Sequence, residues 1–339
     1  MIEKITIYDI AKKLNITAAT VSRALNNNPK ISPKTKLLVV ETASKMNYKQ
    51  NKLAKALQSG KSNNVGVIVP RIDSNFFASI IRGIEEELYI EGYHVIICQT
   101  NENGRREIEN INTLLNAQVD GIFMSISNVN QENKSVFQQI IKEKVPLVFF
   151  DRKINMEGVS SVTIDDFKGG YLATQHLIDE GCERIAHFTG DQSLEIFKNR
   201  SEGYKKALSD NKIEYNTDYV IQTKSSVEEG KLAAHKLLNL KNPPDAIFSS
   251  SDFAALGAIQ ELKKNNVRIP EDFCVVGFGN EPFTKFMELA ITSIDQSPME
   301  MGKIAAKVFL EQINNPDNLA IEKKVVLIPE LITRKSSNK

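Results

Sequence analysis

Apolar residues recur at two spacings along this chain, and the change of spacing divides it. Between residues 6 and 47 the spacing is helical. Ile7, Ile10, Ala11 and Leu14 form a short stripe behind Thr6, a hydroxyl at an N-cap with Asp9 three residues on as a capping-box variant. Asn15 and Ile16 make a tight turn. Thr17 then caps a second helix reaching Leu25, with Val21, Ala24 and Leu25 facing inward. Ser32-Pro33 opens a third helix, the serine as cap and the proline in the first turn, where its missing N–H does no harm. The predicted inner stripe of that helix is Leu37, Val40, Ala43 and Met46.

From Val65 onward short Val-, Ile- and Phe-rich runs alternate with amphipathic helical stretches. Strands are predicted at Val65–Pro70, His94–Thr100, Asp120–Ile126 and Pro146–Asp151, with helices around 76–91, 104–117 and 133–144 between them. The cycle resumes at Ser161–Asp165, Arg184–Gly190, Tyr219–Lys224, Ala246–Asp252 and Cys274–Gly279. Buried strands alternating with helices imply parallel α/β sheets, and this many strands divide better into two similar subdomains than into one sheet. Between head and body lies 49–63, KQNKLAKALQSGKSN, where Asn51 can cap a short helix holding Leu53, Ala54, Ala56 and Leu57, ended by Gly60. A helix this short is unstable in water without a partner to pack on.

Charge sharpens the division. The chain of 339 residues has a net charge of only +1. Residues 1–63 nevertheless carry twelve basic side chains against three acidic ones, and the remainder is acidic by eight. A basic head on an acidic body points to a polyanionic partner for the head alone. Three short helices of this kind are the geometry that lays a second helix in a DNA major groove, and Arg23 on that helix can bond guanine O6 and N7 together.

Other chemistry is excluded or quiet. No apolar run approaches the ~18 residues of a membrane span, and MIEKITIYDIAKKLNIT has no signal-peptide core, so a cytoplasmic protein without membrane contact is expected. Cys98, Cys182 and Cys274 are far apart and lack metal-ligand spacing, which reads as reduced, buried thiols. No P-loop, G-x-G-x-x-G, G-x-S-x-G or H-E-x-x-H occurs, and His94, His176, His187 and His235 are scattered. No enzyme activity, metal or cofactor is expected.

The run TIYDIAKKLNITAATVSRALN, from Thr6 to Asn26, closely resembles the helix-turn-helix of the LacI/GalR family of bacterial repressors. The likeness continues through ISPKTK (Ile31 to Lys36) and MNYKQNKLAKAL (Met46 to Leu57). It implies DNA contact by Thr17, Ala18, Ala19, Thr20, Ser22, Arg23 and Asn26. Tyr8, Ser32 and Thr35 would lie near phosphates, and the caps Thr6 and Asn51 belong to the same DNA-facing set. It also implies that Leu57, with Ala54 beside it, wedges between base pairs in the minor groove. Ala18 and Ala19 depart from the polar or aromatic residues common there and offer only methyl groups, while Gln50 replaces a usual proline.

The body resembles the family's periplasmic-binding-protein-like core through DSNFF (Asp73 to Phe77), VFFDR (Val148 to Arg152), IDDFKGG (Ile164 to Gly170), SDFAALG (Ser251 to Gly257), VVGFGN (Val275 to Asn280) and TSIDQSP (Thr292 to Pro298). The implied organisation is a head at 1–48, a hinge at 49–63 and a core at 64–339. Its first half would comprise about 64–163 and 292–324, its second about 164–291 and 325–339. Ligands in such folds sit beyond the carboxyl ends of strands, in the cleft between halves. Candidates there are the aromatic faces of Phe76 and Phe77, the strand-end carboxylates Asp151 and Asp252, and Arg200, which matches the family's ligand-binding arginine. Gly279 stands where relatives have a carboxylate, with Asn280 or Glu281 as substitutes. The expected function is a ligand-responsive, sequence-specific transcriptional regulator, acting as a repressor of carbohydrate-related genes. Its partners would be a palindromic double-stranded DNA operator, a sugar effector and a second copy in a homodimer. A purine or other metabolite is the alternative effector, and a solute-binding protein the alternative class.

Overall fold

The computed structural model describes residues 5–49, 60–127, 131–314 and 322–339, and the chain separates into two compact units, 1–62 and 63–339. The smaller unit holds α1 (Ile7–Leu14), α2 (Ala18–Leu25) and α3 (Pro33–Lys45). The Asp9 carboxylate accepts both the Thr6 backbone N–H (2.8 Å) and the Thr6 hydroxyl (2.7 Å), which pins the start of α1. Asn15 ends that helix in the left-handed conformation at φ 50°, tolerated by a short polar side chain. Thr17 and Ser32 accept the N–H groups of Thr20 (3.1 Å) and Thr35 (3.2 Å), as expected of caps. Ile10, Ala11, Val21, Ala24, Val39 and Ala43 form the core of this unit.

The inner face of α3 differs from the expected one. Leu37 and Val40 are 63% and 51% exposed, and the buried positions are Val39, Thr42 and Ala43. Leu37 to Val40 are four apolar residues in a row, so two overlapping stripes fit the same helix. Packing against α1 and α2 selects the one through Val39.

The larger unit contains two six-stranded sheets. In the first, β1 (Asn64–Val69), β2 (His94–Gln99), β3 (Ile122–Met124), β4 (Leu147–Phe150), β5 (Ser160–Ile164) and β11 (Lys324–Leu327) run parallel in the order β11-β5-β4-β3-β1-β2. In the second, β6 (Ile185–Thr189), β7 (Val220–Gln222), β8 (Ala246–Ser249), β9 (Cys274–Phe278), β10 (Thr292–Asp295) and β12 (Glu330–Ile332) take the order β12-β10-β9-β8-β6-β7. Only β12 is antiparallel there. The helices are α4 (Asn75–Ile90), α5 (Gly104–Asn116), α6 (Gln131–Lys142), α7 (Asp166–Asp179), α8 (Glu195–Asp210), α9 (Val227–Leu238), α10 (Asp252–Lys264), α11 (Phe283–Phe286) and α12 (Pro298–Asn314).

The chain passes between sheets after Ile164, after Asp295 and after Leu327. The boundaries expected at 292 and 325 are therefore corrected: β10 belongs to the second sheet and β11 to the first. β10 escapes a hydrophobicity reading because it buries hydroxyls. Thr292 and Ser293 are fully buried, bonded to Arg334, Ser337 and Asp252.

Three helix pairs lock through reciprocal glycines. A Cβ on Gly170 would overlap the Arg200 carbonyl, and one on Gly203 the Phe167 carbonyl, joining α7 to α8. Gly83 and Gly302 clasp α4 to α12, while Gly230 and Gly257 clasp α9 to α10. The α7–α8 pair is the one that positions the cleft residues.

Candidate functional site

Two candidate sites exist, one in each unit. In the head, Tyr8 is 71% exposed, and Thr6, Thr17, Ala19, Arg23, Asn26 and Ser32 are exposed, with Ala18, Thr20, Ser22 and Thr35 half-buried. Capping explains the two hydroxyl pairs: Thr17 meets Thr20 at 2.9 Å and Ser32 meets Thr35 at 2.8 Å. The Arg23 carbonyl accepts the Asn28 N–H at 2.9 Å, and no hydrogen bond or ion pair of its side chain occurs among the described residues. Its exposure comes from Val21 and Ala24, which turn their own sides of α2 into the core. Asn51, Ala54 and Leu57 lie outside the described residues.

In the body, a cleft of about 480 Å³ opens beyond the carboxyl ends of β3, β4 and β5. Ile126, Asp151–Asn155, Thr163 and Ile164 line one wall; Asp166, Ser193–Ile196 and Asn199 line the other. Asp151, at φ 59°, is 7% exposed and accepts the Ser125 hydroxyl at 3.0 Å. Burial pushes its carboxyl up, against the pull of Arg152 and Arg200. Arg152 donates to Glu102 at 2.8 Å, while its buried Nε has no hydrogen-bond partner and stands 3.7 Å from Asp151.

Asp166 supplies a buried carboxylate of the opposite wall. Asp165 caps α7 by accepting the Lys168 N–H (2.9 Å), which leaves its neighbour free to face the cleft. Arg200 holds Asp166 through Nε at 2.7 Å and also donates to the Ser250 carbonyl (3.2 Å) and Gln296 Oε1 (3.3 Å). Its guanidinium lies 3.6 Å from the centre of the Phe278 ring, within cation–π range. Burial pushes the Asp166 carboxyl up to about 6 despite the guanidinium. The pair remains ionised at neutral pH.

Beneath this pair, His187 is fully buried, stacked between Tyr204 (5.0 Å) and Phe248 (4.7 Å). Nδ1 faces the Phe248 carbonyl at 3.1 Å, an acceptor only, so that nitrogen carries the proton. Nε2 then accepts the Ser201 hydroxyl at 3.1 Å. Burial lowers the imidazole to about 4, which keeps it neutral.

Of the six expected ligand residues, the cleft lining includes Asp151 alone. Arg200 stands behind Asp166 rather than on the surface of the cavity. Phe76 and Phe77 are buried in the first half's core, edge to face at 5.2 Å, because α4 turns both inward with Ile80 and Ile84. Asp252 is buried and structural, accepting the Ser293 hydroxyl (2.7 Å) and the Glu281 N–H (2.8 Å). Burial pushes it up to about 6. Asn280 bridges Asp295 and Arg334, each at 2.6 Å, across the segments that leave the second sheet. Gly279 has φ +125°, which L side chains rarely adopt, and a Cβ there would point toward Asp252 at 3.4 Å. The backbone at this position therefore suits glycine. Asp166, Arg152 and Asn199 were missed as cleft residues. The doubled Asp165-Asp166 at a strand-to-helix junction was the available signal.

Residues 6–51 match the bacterial regulatory proteins of the lacI family, and residues 62–334 match the periplasmic binding proteins and sugar binding domain of LacI family. The chain is 32% identical to the HTH-type transcriptional regulator DegA of Bacillus subtilis (strain 168) over 335 residues, 99% of this chain and 98% of that one. A transcriptional regulator CelR–cellobiose complex shares 27% identity at a TM-score of 0.73, covering 98% of this chain and all of the other. A LacI family regulator from Enterococcus faecium with bound ribose shares 29% at a TM-score of 0.71, covering 81% and 98%. Each of these relatives is a transcriptional regulator, and no described helix is long and apolar enough to cross a membrane. With a helix-turn-helix head, two parallel-sheet halves around a cleft and full-length likeness to such regulators, the chain belongs to the LacI family and is a ligand-responsive, DNA-binding transcriptional regulator.

Proposed function

We propose that this regulator represses carbohydrate-related genes in the cytoplasm, reading a palindromic operator as a homodimer and responding to a sugar held in the cleft. The observation that carries the sugar reading is the pair of carboxylates, Asp151 and Asp166, on opposite walls. Carboxylates accept from ligand hydroxyls, and the Nε of Arg152, which makes no hydrogen bond, is a donor beside them. The walls otherwise mix aliphatic side chains (Ile126, Ile154, Ile164, Leu194 and Ile196) with polar and charged ones such as Lys153, Asn155, Glu195 and Asn199, and among the described residues they offer no aromatic plane for a nucleobase to stack on. A polyol bridging both carboxylates ties the halves together, and its differential affinity for two inter-half angles becomes a coupling of ~1–3 kcal/mol to DNA binding.

On the DNA side, Arg23 is the base reader, with Thr17, Ala18, Ala19, Thr20, Ser22 and Asn26 around it. Thr6, Tyr8, Ser32 and Thr35 serve phosphates, and Asn51, Ala54 and Leu57 form the hinge contact. The dimer has an apolar face available at the sheet edge, where Ile96 and Ile97 of β2 are 37% and 50% exposed.

A thermal-shift screen with ribose, cellobiose and free purines tests the effector class, because a ligand of the folded state raises Tm. A rise with a sugar, lost in Asp166→Asn, is the expected result; a rise with purines alone overturns the sugar reading. Operator binding measured across salt concentrations should weaken steeply, and Arg23→Ala should erase operator preference while leaving Tm unchanged.

A further inference from the structure

Cys182 and Cys274 meet at the ends of the strands opposite the cleft. Cys274 begins β9, and Cys182 lies just before β6. Asp245 draws them together: its carboxylate accepts the N–H groups of Glu183 (3.3 Å) and Arg184 (2.9 Å), and its carbonyl accepts that of Cys274 (3.0 Å). Both cysteines are free and buried in one core cluster, and each thiol is the strongest electrostatic influence on the other.

Their surroundings are unequal. Lys339 Nζ stands 3.8 Å from Cys182 Sγ, an ammonium placed to favour a thiolate. Cys274 Sγ faces the carbonyls of Pro270 (3.6 Å) and Ser337 (3.9 Å), which favour a thiol that donates. The shifts follow this asymmetry. The Cys274 thiol and the Lys339 charge hold Cys182 below the ordinary thiol range, against burial and Asp245. The Cys182 thiol, burial and Glu180 push Cys274 up. The two thiols are 2% and 0% exposed, and the approach to them is a surface depression of about 510 Å³ lined by Pro270 and Lys339, which carry the atoms in contact with the two sulfurs.

We propose that Cys182 and Cys274 are a reversible oxidation site for hydrogen peroxide, with Cys182 the attacking and Cys274 the resolving thiol. The Cys182 thiolate takes one peroxide oxygen; the O–O bond breaks and hydroxide leaves, to be protonated to water. Cys274 sulfur then displaces the sulfenic hydroxyl, which departs as a second water with the Cys274 proton. A disulfide forms, two electrons having passed from sulfur to peroxide, and two equivalents of a small thiol such as glutathione reverse it.

The test treats the reduced full chain with equimolar hydrogen peroxide and follows it by peptide mass spectrometry. The expected product is a dithiothreitol-reversible cross-link between the Cys182 and Cys274 peptides, lost in Cys182→Ser. In Cys274→Ser, dimedone should trap sulfenic acid on Cys182 ahead of Cys98, although Cys98 is the more exposed thiol. Lys339→Glu, which leaves both thiols in place, should slow the reaction several-fold. Oxidation of Cys98 first, or no cross-link in the wild type, overturns the proposal; an unchanged rate in Lys339→Glu overturns the part given to the lysine.

Discussion

Gly170 of α7 sits against Arg200 of α8 so closely that a Cβ on the glycine would overlap the arginine's backbone carbonyl. The contact sets the height of Arg200 beneath the cleft, and so the position of the Asp166 carboxylate that it grips. Gly170→Ala must separate the two helices. Overpacking of this kind costs about 1–3 kcal/mol. The urea midpoint should fall and sugar affinity should fall with it, since Arg200 is displaced. A variant with an unchanged midpoint would show that α8 is free to move.

Arg200 gathers Asp166, Ser250 and Gln296 and stacks on Phe278. Arg200→Ala leaves a buried carboxylate without its partner, an expected loss of about 3–5 kcal/mol. Arg200→Lys should rescue only a minor part, because one ammonium replaces neither the fork nor the planar stack. In the double variant Arg200→Ala with Asp166→Asn the loss should shrink, as no lone charge remains. Equal losses in the single and double variants would mean that the pair is not electrostatic.

Some of this was legible in the sequence and some was not, for local reasons. Thr17 and Ser32 were readable as caps because a cap and its helix are neighbours in the chain. Asp166 was not readable as a cleft residue, because its partner Arg200 lies 34 positions away and only tertiary packing joins them. Phe76 and Phe77 follow β1, which suggested a cleft surface, yet the turn of α4 carries both into the core. β10 was hidden by polar residues satisfied from residues 334–337, some forty positions on.

Acid should destabilise the protein through His187. Its folded value of about 4 lies below the ordinary 6.5. Between those values the unfolded chain binds a proton that the folded chain refuses, so stability is lost as pH falls from about 6.5 to about 4. The loss is then constant below that. Asp166 and Asp252, both raised from 3.8 to about 6, act oppositely: between those limits the folded state binds more protons, so their contribution to stability grows as pH falls. His187→Phe keeps the stack and removes the titrating imidazole. Relative to the wild type, its stability should gain about 3 kcal/mol between pH 7 and pH 4. Parallel pH profiles for the two proteins would show that His187 already accepts a proton when folded.

The two stripes of α3 give the last expectation. Val39 is fully buried, whereas Leu37, two positions earlier, is 63% exposed. Val39→Ala removes core methyl groups and should cost about 2 kcal/mol, opening a cavity against Ile10 and Val21. Leu37→Gln should change stability by no more than about 0.5 kcal/mol. Amide hydrogen exchange on the full chain separates the two, since it reads each unit's opening on its own. Protection in α1 and α2 should drop roughly 30-fold in Val39→Ala, the exchange equivalent of that cost, and stay level in Leu37→Gln. The reverse ranking would restore the stripe through Leu37 and Val40 and rotate α3 in the head.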